Sequence, residues 1–220
     1  MTPRNIFITG GTGYVGRALI PRLLERGHRV RALVRRGSET RLPRGCEPVI
    51  GNALDVLTFA DAVEGSDTFV QLVGVPHPSP AKAAQFQSID LASARASVSA
   101  AAGAGVKHFV YVSVAQPSPV MKAYQAVRAE GETMIRESGL AATILRPWYV
   151  LGPGHRWPYA LVPVYWLFER ISTTRETARR LGLVTLTEMV AALANSVESP
   201  AEGVRILEVP SIRRSASETR

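Results

Sequence analysis

The sequence predicts an α/β fold, a doubly wound parallel sheet with helices on both faces. Three observations predict it. Short apolar runs of strand length alternate with longer stretches of helical spacing. The first run empties into a glycine-rich turn that opens a helix. Most later elements stop at Gly or Pro. Such alternation favours parallel strands joined by right-handed crossovers.

The elements follow in order. Asn5–Thr9 (NIFIT) is a buried strand running into glycines. Tyr14–Arg26 carries Val15, Leu19, Leu23 and Leu24 at helical spacing, with Pro21 inside as a candidate kink and Gly27 as its stop. His28–Val34 is a second strand, 35–48 a loop, and Pro48–Ile50 a short third strand. Val56–Val63 is expected as a helix ended by Gly65. Thr68–Val73 is a fourth strand closed by Gly74, followed by the Pro-rich connection 76–80. Ala81–Ala102 is a long Ala/Ser-rich helix ended by Gly103 and Gly105. His108–Val114 is a fifth strand, Tyr124–Ser138 a helix capped by Gly139, and Ala142–Leu145 the start of a sixth strand ending at Arg146–Pro147. No repeat or linker divides the chain, and its 220 residues fit one domain.

Composition narrows the class. Hydrophobic residues at 46% and charged residues at 20% are a globular balance, not a disordered one. A single cysteine, Cys46, excludes an internal disulfide or a cysteine-based metal cluster. The four histidines, His28, His77, His108 and His155, show no metal-ligand spacing. The first residues do not read as a signal peptide, and no run of about 18 apolar residues is present. A reducing cytoplasm is therefore the expected compartment. The net charge of +8 is concentrated early: residues 1–50 hold ten Arg against Glu25, Glu39 and Glu47. A local positive field suits a polyanionic ligand. Nucleic acid is the rival reading, but no nucleic-acid motif accompanies the charge, and no nucleic-acid partner is expected.

The glycine turn identifies the anion. Gly10, Gly13 and Gly16 are spaced three and three between a strand and a helix. The first glycine permits the tight turn, the second lets the backbone approach a pyrophosphate, and the third lets the helix pack closely. Tyr14 and Val15 then begin a helix whose unpaired N–H groups and dipole face the phosphates. This is a Rossmann-like dinucleotide site. An NAD-selecting fold would place Asp or Glu near the end of the second strand. This chain has Arg35 and Arg36 there, which can grip a 2′-phosphate. NADP is expected over NAD, with Arg35 the favoured contact; the alternative is that both arginines simply face solvent.

TGGTGYVGRAL, followed by a strand into LVRR, resembles the short-chain dehydrogenase/reductase superfamily, and more closely its atypical NmrA-like and NAD(P)H-binding epimerase-type branch. GNALD (51–55), AAGAGVKHFVYVSV (101–114), ILRPWYVLGPG (144–154) and VTLTEMVAAL (184–193) agree with it. In the last of these Glu188 stands where relatives usually carry Asp. The resemblance implies cofactor contacts at Asn52 and Ala53 near the adenine, at Val73 and Gly74, and at Pro147. It also implies catalysis through Tyr-x-x-x-Lys with an upstream Ser or Thr. The matching residues are Tyr124, Arg128 and Ser113, so the usual lysine is an arginine. Arginine keeps the charge but not the geometry of an ammonium. The competing reading is a surface Tyr with a neighbouring Arg one helical turn away.

Residues 155–183 form a reduced substrate-side extension, aromatic first and then basic. Trp157, Tyr159, Tyr165, Trp166 and Phe168 suit a lipophilic pocket, a partner subunit, or a membrane surface with Arg170, Arg175, Arg179 and Arg180 toward headgroups, or else a helix packed on the sheet. His155 is a candidate pocket residue, with an ordinary loop histidine the favoured alternative. The expectation is an NADP(H)-dependent oxidoreductase for a small or lipophilic carbonyl-type substrate, or a redox sensor that binds the dinucleotide without turnover.

Overall fold

The computed structural model describes residues 2–118, 120–153 and 181–216. In chain order the described elements are β1 (Asn5–Thr9), α1 (Tyr14–Glu25), β2 (Arg29–Val34), β3 (Glu47–Ile50), β4 (Thr68–Gln71), α2 (Ala92–Gly103), β5 (His108–Val112), α3 (Lys122–Glu137), β6 (Ala142–Arg146), β7 (Tyr149–Leu151), β8 (Leu183–Thr185), α4 (Leu186–Glu198), β9 (Val204–Glu208) and α5 (Val209–Arg214). Seven strands form one sheet in the order β3-β2-β1-β4-β5-β6-β9, and every neighbouring pair is parallel. β7 and β8 make a separate parallel pair. The fold is the doubly wound, Rossmann-like α/β sheet that the alternation predicts.

Strand periodicity creates the two layers. Side chains alternate across a strand, so Ile6 and Ile8 face one side and Phe7 the other. On the first side they meet Leu19, Ile20 and Leu23 of α1, Met189, Leu193 and Val197 of α4, and Ile212 of α5. On the second side Phe7, Phe69 and Phe109 follow one another, the first pair tilted and the second stacked, with ring centroids 5.2 and 5.3 Å apart. They pack against Ala94, Val98 and Ala101 of α2 and Ile135 of α3. The small residues of α2 therefore let a helix lie close on an aromatic sheet face.

Four element expectations change. Val56–Val63 is not one helix but two short 3₁₀ turns, Val56–Thr58 and Asp61–Val63. Side chains intercept the backbone there: the Asp55 carboxylate accepts from Leu57 N at 3.1 Å, and the Thr58 hydroxyl donates to Asp55 O at 2.7 Å. The expected helix from Ala81 divides into the 3₁₀ turn Pro80–Lys82, one α turn at Ala83–Gln85, a π segment at Phe86–Leu91, and α2. β4 and β5 end at Gln71 and Val112, two residues earlier than expected. The sequence pattern assigns no element after the sixth strand; the structure adds β7, β8, α4, α5 and β9, the last carrying the sheet beyond β6. α1 runs on through Pro21 to Glu25, and Gly27, at φ 80°, turns the chain out of it.

Candidate dinucleotide site

The site begins where the chain reverses its lateral direction. β2 lies on one side of β1 and β4 on the other, so the carboxyl end of β1 opens a crevice. Gly10 makes the turn at φ 78°, where a Cβ would strike the Leu72–Val73 backbone at 2.8–2.9 Å. Gly16 packs the helix on the turn itself: a Cβ there would lie 2.5 Å from Gly10 O and 2.7 Å from Gly11. At Gly13, by contrast, a Cβ would meet only Gly10 O, at 3.1 Å, and the residue is exposed. α1 starts without a side-chain cap and without an acidic residue in its first turn, so its positive end is uncompensated. This cradle fits a diphosphate.

The two sides of the crevice differ. Toward β2, Arg35 and Arg36 follow the strand and are exposed. Asn52 and Ala53 follow β3, with Asn52 Oδ1 accepting from Leu54 N at 3.1 Å and Ala53 packed on the second core layer. Toward β4, Val73 and Gly74 pass the turn, and Pro147 leaves β6 buried, its carbonyl accepting from Ala115 N at 2.9 Å. Tyr14 sits with its hydroxyl end against Gly152, beyond β7. The phosphate turn thus touches the segment leading into residues 154–180, which lie outside the described residues, as do His155 and the aromatic-basic stretch.

Tyr124 and Arg128 share one face of α3, one turn apart, as their spacing requires. The Arg128 guanidinium lies 5.2 Å over the Tyr124 ring and 5.8 Å over Tyr111. It is 4% exposed. It donates to Asp90 Oδ1 at 2.5 Å and to Val112 O at 2.9 Å. Burial opposes its charge, but the Tyr124 and Tyr111 oxygens and the Asp90 carboxylate outweigh that and raise its pKa. Burial likewise pushes the Asp90 carboxyl up, against the pull of Arg128 and of Val75 N–H. Tyr124 packs on Phe86 of the π segment, with centroids 4.9 Å apart.

Ser113 follows β5 and is buried, and its hydroxyl donates to Glu132 Oε1 at 2.7 Å. Glu132, 1% exposed, also accepts from Gln116, Arg136 and both Nε and Nη2 of Arg146. Burial alone would raise its pKa; the Arg146 and Ser113 hydrogen bonds prevail and lower it. Arg146 then reaches Glu208 on β9 at 2.9 Å. The structure therefore brings Tyr124 and Arg128 together and ties Ser113 into a different buried network. Asp90, Tyr111, Glu132 and Arg146 were not singled out from the sequence. Two had a signal: Glu132 continues the 124–128 spacing along the same helix face, and Asp90 is the lone charge between Lys82 and Arg95. Glu188 has a local task, closing a capping box with Thr185 at the start of α4.

The model of the family described as NAD(P)H-binding matches residues 10–176. The chain belongs to this family. It is 27% identical over 211 residues to a ceramide reductase of Caulobacter vibrioides, covering 95% of this chain and 65% of that one. It is 26% identical over 168 residues to the 4-hydroxy-2-methyl-3-oxo-4-farnesyl-3,4-dihydroquinoline-1-oxide ketoreductase of Stigmatella aurantiaca, covering 66% of this chain and 50% of that one. The chain thus spans about half to two thirds of the length of these relatives. Among solved structures, the Bordetella bronchiseptica enzyme WbmH in complex with NAD+ has a TM-score of 0.70 at 20% identity, covering 94% of this chain and 76% of that one. That likeness shows the fold. The short-chain dehydrogenase/reductase resemblance read from the sequence stands at this level. Among the described residues, no helix is long and apolar enough to cross a membrane.

Proposed function

We propose that the protein is an NADP(H)-dependent oxidoreductase acting on a lipophilic carbonyl-type substrate. One observation carries the cofactor choice: two exposed arginines, rather than a carboxylate, follow β2 beside the phosphate turn. The Gly10–Gly16 turn and the start of α1 would hold the diphosphate, and Arg35 and Arg36 the 2′-phosphate. The bound nicotinamide would supply or accept hydride. Tyr124 would exchange a proton with the substrate oxygen, held in place by Phe86 and Arg128. The lipophilic substrate is supported by the named activities of the two relatives, a ceramide reductase and a reductase of a farnesyl-bearing ketone.

Fluorescence titration of NADPH and NADH tests the first part. Replacing Arg35 and Arg36 together with Ala should weaken NADPH about ten-fold or more, the effect of losing one charged hydrogen bond, and leave NADH nearly unchanged. Equal weakening of both refutes the assignment. A screen of apolar ketones follows, and Tyr124→Phe should cut kcat by about 10²–10⁴. Retained activity would move the proton transfer elsewhere. A second reading, a dinucleotide-binding redox sensor, has its own support. The Arg128 guanidinium is spent on Asp90 and Val112 O, and the Ser113 proton on Glu132. Tight NADPH binding with no turnover across the screen would favour it.

A further inference from the structure

The turn after β4 is held at several points by buried polar groups. Gln71 Nε2 donates to Val73 O at 3.3 Å and to Ser93 Oγ at 3.1 Å. Ser93 Oγ in turn donates to Asp90 O at 3.0 Å. Asp90 Oδ2 accepts from Val75 N at 3.1 Å, while its Oδ1 accepts from Arg128. Gly74 lies between these anchors. A Cβ there would collide with Arg128 Nη2 and lie 3.1 Å from Asp90 Oδ1. The backbone of the turn is therefore drawn down onto the ion pair. Asp90 is fully buried and Arg128 nearly so, and Val112 O fixes the other end of the guanidinium.

The sheet order says which half of a dinucleotide this turn would meet. With the diphosphate at β1 and the 2′-phosphate at Arg35 and Arg36 after β2, the adenine half lies toward β2 and β3. The reactive half must then extend toward β4 and β5, over Val73–Val75. Resting on the dinucleotide reading above, we propose that Asp90 is a positioning residue for the nicotinamide half: paired with Arg128, it fixes the Val73–Val75 turn in the shape that half requires. The arginine at the usual lysine place then has a counter-charge supplied by the chain. Its guanidinium has two directions to serve, Asp90 and Val112 O, which its fork can reach together and a single ammonium serves less well.

Asp90→Asn is the direct test. Both oxygens of Asp90 face donors, so an amide NH₂ must point at either Val75 N–H or Arg128. A double variant, Asp90→Leu with Arg128→Met, removes the pair without leaving a buried charge and keeps the test open should the single variant not fold. Three readouts apply. Hydrogen exchange at the Val75 amide, without any ligand, should accelerate about ten-fold or more. NADPH should bind about ten-fold more weakly. Adenosine 2′,5′-bisphosphate, the adenine half alone, should bind within about two-fold of wild type, because it stops short of the turn. Unchanged Val75 exchange overturns the clamp. So does undiminished NADPH affinity, or an equal loss for both ligands, which would mark a merely structural pair. A wild type that binds neither ligand refutes the NADP reading and, with it, the proposal as stated, whereas wild-type binding of both with unaltered variants refutes the positioning role alone.

Discussion

Replacing Glu132 with Gln should cost this protein much of its stability, and in a pH-dependent way. Glu132 is a buried carboxylate with donors on every side: Ser113, Gln116 and Arg146 Nε at Oε1, Arg146 Nη2 and Arg136 at Oε2. An amide of the same shape presents one oxygen and one NH₂, so at least one donor faces another donor. Removing one partner of a buried pair costs about 3–5 kcal/mol. Arg146 keeps Glu208, and Arg136 is well exposed, so the low end applies, about 3 kcal/mol. For a chain of this size, about 2–4 °C of Tm accompanies each kcal/mol, which gives a fall of about 6–12 °C near neutral pH. The sign of the pH effect follows from the lowered pKa of Glu132. Its stabilisation is fully present above the ordinary value of 4.5 and is lost as pH falls through the folded-state value. The gap between wild type and variant should therefore narrow below about pH 4.5. Thermal melts followed by circular dichroism from pH 8 to pH 3 measure both quantities. A Tm loss under about 2 °C, or a gap constant across the whole range, would refute the network's assigned role.

His108 is fully buried, with Nε2 3.0 Å from Thr143 Oγ1, and burial and nearby Arg205 and Arg4 lower its pKa from 6.5 to about 4. The unfolded chain then takes up the proton first, so wild type should lose up to about 3 kcal/mol as pH falls from 6.5 to 4. His108→Gln should flatten that limb, and identical acid profiles would count against the assignment. The second and third glycines of the phosphate turn, Gly13 and Gly16, should separate binding from folding. Gly13→Val presses on Gly10 O alone, at 3.1 Å, and should abolish dinucleotide binding with a small Tm change. Gly16→Val drives a side chain into Gly10 and Gly11 and should lower Tm by several degrees as well. Similar melting of the two variants would show that Gly13 is packed as tightly as Gly16.

The sequence by itself determined the parts whose physics is local. Strand and helix periods are written residue by residue, and so the sheet, the glycine turn and the position of the two arginines after β2 were legible. α1 and the phosphate turn depend on steric demands within a few residues of Gly10 and Gly16. Tyr124 and Arg128 had to share a helix face because they are four apart. Where local bonds compete, the pattern misled: Asp55 and Thr58 take backbone partners from the helix expected at 56–63, and the helix from Ala81 is interrupted by a π segment at the very place that buries Asp90. The partners of the charged residues were decided only by the tertiary structure. Arg128 meets Asp90 across 38 residues, Glu132 meets Ser113 across 19, and Arg146 meets Glu208 across 62. Burying a charge is costly unless an opposite charge or a donor lies within hydrogen-bond reach. Which group that is depends on how helices cross the sheet, and no spacing along the chain encodes it. The arginine that reads as a free catalytic cation in sequence is, in the fold, one half of a buried pair.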